Sequence, residues 1–231
     1  MSHPVKVDVW SDIACPWCFV GKRRFEQAVA RFDGEVEVEY HSFELSPETP
    51  VDYAGTEAQF LAQHKGLPTQ QAEQMLAQMT ELAAGEGLAY DFGGLQHANT
   101  VLAHQALHHA KAHGKQVELK ERLLAAYFEQ GLNLNHAEVL ADLAAEVGLD
   151  RDAVLTDLES GAHLPAVRAD QEQAIEYGIG GVPFYVFDGR LAVSGAQSPD
   201  VFVTALERVA REAVTESGPP SCAGPMRVSV I

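Results

Sequence analysis

Cys15, Pro16, Trp17 and Cys18 are the residues of this 231-residue sequence whose types and spacing most directly suggest chemistry. Two cysteines three positions apart lie one helical turn from each other, near enough for their sulfurs to join as a disulfide or to share a metal. A structural zinc site needs two more ligands, usually another close Cys or His pair, and the third cysteine, Cys222, stands alone. That arithmetic favours a redox pair. If the pair opens a helix, the free amides and partial positive charge of the helix start favour a thiolate on the first sulfur. Cys15 is then expected to be the acidic, exposed nucleophile. Cys18, one turn inside, is expected to be the resolving thiol that attacks the mixed disulfide and releases the substrate. Pro16 suits a first helical turn and, with Trp17, flanks the pair as a substrate-binding surface; core packing is the plainer role for Trp17, because Trp is large and often half buried.

The elements that must hold this pair are legible on both sides of it. Val5, Val7 and Val9 alternate with polar residues, which predicts a strand over about 4–10. A helical pattern carrying Phe19, Phe25, Val29 and Phe32 follows the dithiol and closes at Gly34, and Val36, Val38 and Tyr40 mark a second strand within 35–43. Strand, helix and strand in this order imply a parallel pair with a right-handed crossover. From about Thr56 to Tyr177 the chain turns rich in Ala, Leu, Gln and Glu, with breaks at Gly66, Pro68, Gly114, Gly131, Gly148 and Gly161, which predicts six or seven short helices. Strand signals return at 184–187 and 191–193. Asp188 and Gly189 between them suit the positive φ angles of a type I′ hairpin, and Ser198 and Pro199 then begin a last helix.

This order, with the dithiol at the start of the first helix, resembles the thioredoxin fold, and a helical domain inserted before the hairpin resembles the DsbA family. The expected class is α/β: a thioredoxin fold with a large all-helical domain inserted between the second strand and the cis-proline hairpin. The expected divisions are 1–50 and 166–216 for the thioredoxin-like domain, 51–165 for the insertion and 217–231 for a flexible tail. The stretch from Ser11 to Lys22, including Asp12, Ile13, Ala14 and Gly21 around the dithiol, is similar to the FrnE-like branch of that family. So are Asn99, Thr100, Ala103 and His104, and Gly131, Leu132 and Asn133. The resemblance implies a cis peptide bond at Pro183 beside the dithiol, with the Val182 backbone free to pair with an extended substrate segment. Gly178, Gly180 and Gly181 precede a strand rather than open a helix, so they do not form a dinucleotide loop.

This branch is related to 2-hydroxychromene-2-carboxylate isomerases and kappa-class glutathione transferases, which carry a serine at the position of Cys15. The resemblance therefore implies a thiol-disulfide oxidoreductase or isomerase working through Cys15 and Cys18. The alternative is a glutathione-dependent isomerase or transferase acting on a small electrophile. Cys18 would be idle in a glutathione-activating site. The insertion is expected to cap the dithiol, with Asn99, Thr100 and His104 lining the cleft beside Cys15 and Pro183; capping a helix is the plainer role of Asn99.

Other signals are weaker. His97, His104, His108, His109 and His113 crowd together, with the pairs 104/108 and 109/113 at i,i+4 spacing, but no adjacent carboxylate run completes a metal site. A solvated helix face and no metal are expected. Asp12 and Glu44 are candidate acids near the dithiol, with salt-bridged or solvated carboxylates as the plainer alternative. The net charge of −17 opposes nucleic acid and anionic membrane as partners. No window nears the roughly 18 consecutive apolar residues of a membrane span, and the first ten residues lack a signal peptide's pattern, so a cytoplasmic protein is expected. The expected partners are a disulfide-containing protein or small-thiol substrate and a redox recycling partner. Glutathione or another low-molecular-weight thiol fits as co-substrate, no other cofactor is called for, and a monomer or a homodimer fits equally. Cys222, among prolines and glycines, could reach the dithiol or cross-link a second chain, with a free surface thiol as the plainer alternative.

Overall fold

The computed structural model describes residues 4–51, 53–216 and 229–230. The chain runs β1 (Val5–Ser11), α1 (Pro16–Val29) and β2 (Val36–Ser42), then seven consecutive helices before the hairpin. These are α2 (Glu57–Lys65), α3 (Thr69–Gly85), α4 (Val101–Ala112), α5 (Gln116–Phe128), α6 (Ala137–Glu146), α7 (Arg151–Ser160) and α8 (Leu164–Glu176). β3 (Phe184–Phe187), β4 (Leu191–Ser194), α9 (Pro199–Glu216) and the two-residue β5 (Ser229–Val230) complete it. The sheet order is β2-β1-β3-β4-β5, with β1 parallel to β2 and antiparallel to β3. This is the thioredoxin arrangement with a helical insertion between β2 and β3.

β5 lies inside the stretch read as a tail, pairing Ser229 with Leu191 and Val230 with Ala192. Cys222 lies outside the described residues. α8 runs across the boundary expected at 165, because Leu164 to Glu176 is one unbroken helix. Among the described residues no helix is long and apolar enough to cross a membrane.

Alternation along β1 sends Val5, Val7 and Val9 to one face of the sheet, where they meet Phe25 of α1 and Phe202 and Leu206 of α9. Trp10 faces the opposite side with Val186 and Ala192, against Ala174 of α8. α1 belongs to two cores: Phe25 and Ala28 pack on the sheet, while Phe19 and Val20 join the core of the insertion around Leu123, Leu124 and Phe128. The helix that carries the dithiol is thereby clamped between both halves. Gly21 makes the approach possible, since a Cβ there would lie 2.7 Å from the Tyr185 hydroxyl and 2.9 Å from Cγ of Pro183. At the hairpin, Asp188 (φ 48°) and Gly189 (φ 65°) take the expected positive angles, and the Arg190 amide donates to the Phe187 carbonyl at 2.9 Å.

The solvated histidine face is corrected. His97, His104, His108 and His109 are buried, and each meets a carboxylate from another element: Glu57, Asp12, Asp170 and Asp157 respectively. The sequence neighbourhood of α4 holds no acids that would reveal this, because the partners arrive from the turn after β1 and from α2, α7 and α8.

Candidate active site

β1 ends at Ser11, and the turn Asp12 to Ala14 delivers Cys15 to the N-cap of α1, with φ −91° and ψ 111°. The Cys18 amide donates to the Cys15 carbonyl at 3.0 Å, closing the first turn, and Pro16 occupies the position where a missing amide hydrogen costs nothing. Tyr90, stacked on Phe128, donates its hydroxyl to the Pro16 carbonyl at 2.7 Å and ties this turn to the insertion.

Across from it, the Val182–Pro183 peptide bond is cis, and the Cys15 thiol donates to the Val182 carbonyl at 3.6 Å. Cys15, Cys18, Val182 and Pro183 are thus brought together. The expected exposure of Cys15 is corrected: it is 4% exposed and Cys18 3%. Cys15 nevertheless lines a cavity of about 590 Å³, together with Pro16, Trp17, Asp12 and Thr100, whereas Cys18 does not. Leu61, Leu76, Met79 and Leu82 make its walls predominantly apolar. Trp17 is 43% exposed at this cavity, so core packing is not its role.

The two thiols titrate together. The neighbouring Cys18 sulfur and burial push the Cys15 thiol well up, reinforced by the charge of Asp12 and opposed by the Cys18 amide. Burial also raises Cys18, but the bond from Cys15, the charge of Lys120, the Ser11 hydroxyl and the Asp12 amide outweigh it and bring that thiol down. One proton therefore leaves the pair below the ordinary thiol value and the second well above it. The expected acidity therefore belongs to the coupled pair rather than to Cys15 alone.

Asp12 is fully buried beside the dithiol. Burial raises its carboxyl, but His104 at 3.2 Å, the Leu45 amide at 2.8 Å and the Thr100 hydroxyl hold it below the usual carboxylate range. Thr100 therefore lines the cavity as expected, while His104 stands behind Asp12 and is not on the described cavity wall. Asn99 is not on that wall. Its Nδ2 donates to the carbonyls of Pro47 and Thr49, its Oδ1 accepts from the Val101 amide, and the wall is formed by its neighbours Ala98 and Thr100. It clamps the chain after β2 to the start of α4. Glu44 is spent on Arg168 and Gln171 of α8.

Lys120 is the residue that inspection of the sequence overlooks. It is 1% exposed, its Nζ has no hydrogen-bond partner among the described residues, and it lies 5.5 Å from the centre of the Tyr40 ring. Burial brings its ammonium down to about 8, against the pull of Cys18, Asp12 and Cys15. The signal was available: Gln116, Lys120, Leu123 and Tyr127 share the buried face of α5, so Lys120 interrupts an apolar stripe.

The DSBA-like thioredoxin domain family matches residues 6–207. The Bacillus subtilis (strain 168) protein YwbO is 33% identical over 207 residues, covering 87% of this chain and 96% of that protein. The crystal structure of a probable DsbA oxidoreductase from Streptomyces coelicolor is 38% identical with a TM-score of 0.83, covering 96% of this chain and 94% of that one. A 2-hydroxychromene-2-carboxylate isomerase shares the fold at 16% identity, with a TM-score of 0.70 over 91% of this chain and 98% of its own. With a family match spanning nearly the whole described core and relatives covered almost end to end, the chain belongs to the DSBA-like thioredoxin domain family.

Proposed function

We propose that this protein is a thiol-disulfide oxidoreductase of the cytoplasm that exchanges disulfides through Cys15 and Cys18. The observation that carries the proposal is the asymmetry of the pair: Cys15 faces the cavity and donates to the Val182 carbonyl beside the cis-proline, and Cys18 lies behind it. Substrate approach draws the proton from Cys15 to Cys18, and the Cys15 thiolate attacks one sulfur of a substrate disulfide. The substrate S–S bond breaks, a Cys15 mixed disulfide forms, and the departing thiolate takes the proton from Cys18, which becomes the thiolate. The Cys18 thiolate then attacks Cys15 Sγ, forming the intramolecular disulfide and releasing the second substrate thiol. Two electrons pass from the dithiol to the substrate, and the reverse sequence oxidises a substrate dithiol. Once Cys15 is in the mixed disulfide it no longer donates to the Val182 carbonyl, which is then free to accept a backbone amide from an extended substrate. In a reducing compartment the pair rests as the dithiol and the net direction is substrate reduction.

The competing reading is a glutathione-dependent isomerase or transferase that uses the apolar cavity for a small electrophile. Parallel assays of wild type, Cys15→Ser and Cys18→Ser separate them. Disulfide exchange predicts catalysed reduction of insulin by a small thiol, lost in Cys15→Ser, and a trapped mixed disulfide in Cys18→Ser. Glutathione addition to an aryl electrophile that persists in Cys15→Ser, with no insulin reduction by wild type, would overturn the proposal.

A further inference from the structure

A second cluster of metal-binding atoms lies on the insertion, built from the C-terminal turns of α4 and α7 and the start of α8. His109 Nδ1 is 2.6 Å and His163 Nε2 3.0 Å from the same Asp157 oxygen, and all three ligating atoms lie within 4.8 Å of one another. His109 is 4% exposed, and its ring is stacked on His113, whose Nδ1 bonds to the His109 carbonyl. The ring is therefore held in place rather than free to turn.

We propose that His109, Asp157 and His163 bind one divalent transition-metal ion of borderline softness, of the class of Zn²⁺ or Co²⁺. Two imidazoles and one carboxylate are a donor set for such ions, and three protein ligands leave a position for water. An ion about 2.0–2.2 Å from each ligand sets the ligating atoms roughly 3.4 Å apart, so the 2.6 Å and 3.0 Å separations to Asp157 must open by about 0.8 Å and about 0.4 Å to accept it. In that state the ring protons of His109 and His163 move to their other nitrogens or leave.

Charge favours the same conclusion. Among the described residues Asp157 is hydrogen-bonded to the two histidines and is ion-paired with no lysine or arginine. His109 lies in the last turn of α4 and Asp157 in the last turn of α7, so two negative helix ends converge on an acid that lacks a fixed cation. The other cluster of comparable composition, Asp8, Glu39 and His41, differs in this respect. There Lys6 bridges both acids, Lys111 pairs with Glu39, and both nitrogens of His41 are taken by Asp8 and Asp170. A lysine already fills the cation's place in one cluster and not in the other. An ion at His109 would join α4, α7 and α8 and stiffen the helical insertion, away from the dithiol.

The test is a Co²⁺ titration of the full chain above the ordinary imidazole pKa, with the dithiol oxidised and Cys222 alkylated so that no thiolate competes. The expected result is one saturable equivalent with ligand-field bands and no thiolate-to-metal charge transfer. Affinity falls at least tenfold in Asp157→Asn and in His163→Ala, a residue at a helix start whose side chain is 24% exposed. Added Zn²⁺ raises the thermal midpoint of wild type and of neither variant. His113→Ala leaves binding within a few-fold of wild type. Absence of saturable binding, binding unchanged in both Asp157→Asn and His163→Ala, or loss in His113→Ala alone would overturn the assignment.

Discussion

Two buried groups of ionisable residues join the sheet to the helical insertion, and they are satisfied to very different degrees. Behind β2, Asp170 of α8 accepts from His108 at 3.0 Å, from His41 at 3.0 Å and from the Ser42 amide at 2.7 Å, while His41 also reaches Asp8 at 3.0 Å. Trp10 stacks on His41 and donates to the Asp170 carbonyl. Every charge has a partner there, and the group acts as a staple. Beneath the dithiol, by contrast, Lys120 is as deeply buried and has no hydrogen bond among the described residues, and the nearby thiols share a single charge. A buried ammonium without a hydrogen bond costs stability, and the charges nearest it are those of the thiols and Asp12, so its place beside a redox pair points to chemistry rather than to folding. Complete pairing marks structure, and incomplete pairing marks the site.

The largest way to break this contrast is Asp170→Ala, which strands two imidazoles and an amide. Unfolding free energy should fall by about 3–5 kcal/mol in denaturant titrations, with specific thiol reactivity intact in the protein that remains folded. Next comes pH. Burial lowers His41, but Asp170 and Asp8 more than offset it and raise it to about 9, against an ordinary value of 6.5. That contribution, of order 3 kcal/mol, is fully present below about pH 6.5 and is lost as pH rises through about 9. Asp170 is held low, so its share is present above the ordinary carboxylate range and is lost on acidification. Urea melts should therefore show an alkaline decline through pH 9 that flattens in His41→Gln.

Lys120→Met sharpens the other side. Stability should stay level or rise, because an unpaired buried ammonium is replaced by an apolar chain of similar length. The first thiol of the pair should titrate higher, since Lys120 helps hold the charge on Cys18, and insulin reduction should slow at neutral pH. The smallest effect is expected for Asn99→Ala: about 0.5–2 kcal/mol of stability with turnover unchanged, as befits a clamp and cap away from the cavity wall. A changed KM in that variant would restore the ligand role that the geometry removes.

The fold was legible because its signals are local. Alternating valines in β1, the Asp188–Gly189 turn and the glycine breaks of the insertion act within a few residues of themselves. The dithiol was legible for the same reason, as a short motif at a defined place in the element order, whereas the cis bond at Pro183 was implied only by the family resemblance. What escaped was contact between distant segments. Asn99 sits next to a cavity residue in sequence, yet its amide is spent on Pro47 and Thr49. The histidines of α4 look solvated until Asp12, Asp157 and Asp170, all distant in sequence, close over them. Lys120 had a local signal, a cation on an apolar face, but only the packing of α5 against β2 and the dithiol turn gives that position a chemical meaning.

Mass-resolved alkylation of the reduced protein, with peptides mapped so that Cys222 is scored separately, tests the central claim most directly. The account predicts that a brief pulse at neutral pH labels Cys15 and spares Cys18, and that mild oxidation removes both from labelling together by joining them in one disulfide. Equal labelling of the two, preferential labelling of Cys18, or oxidation that blocks Cys15 without forming a bond to Cys18 would contradict it.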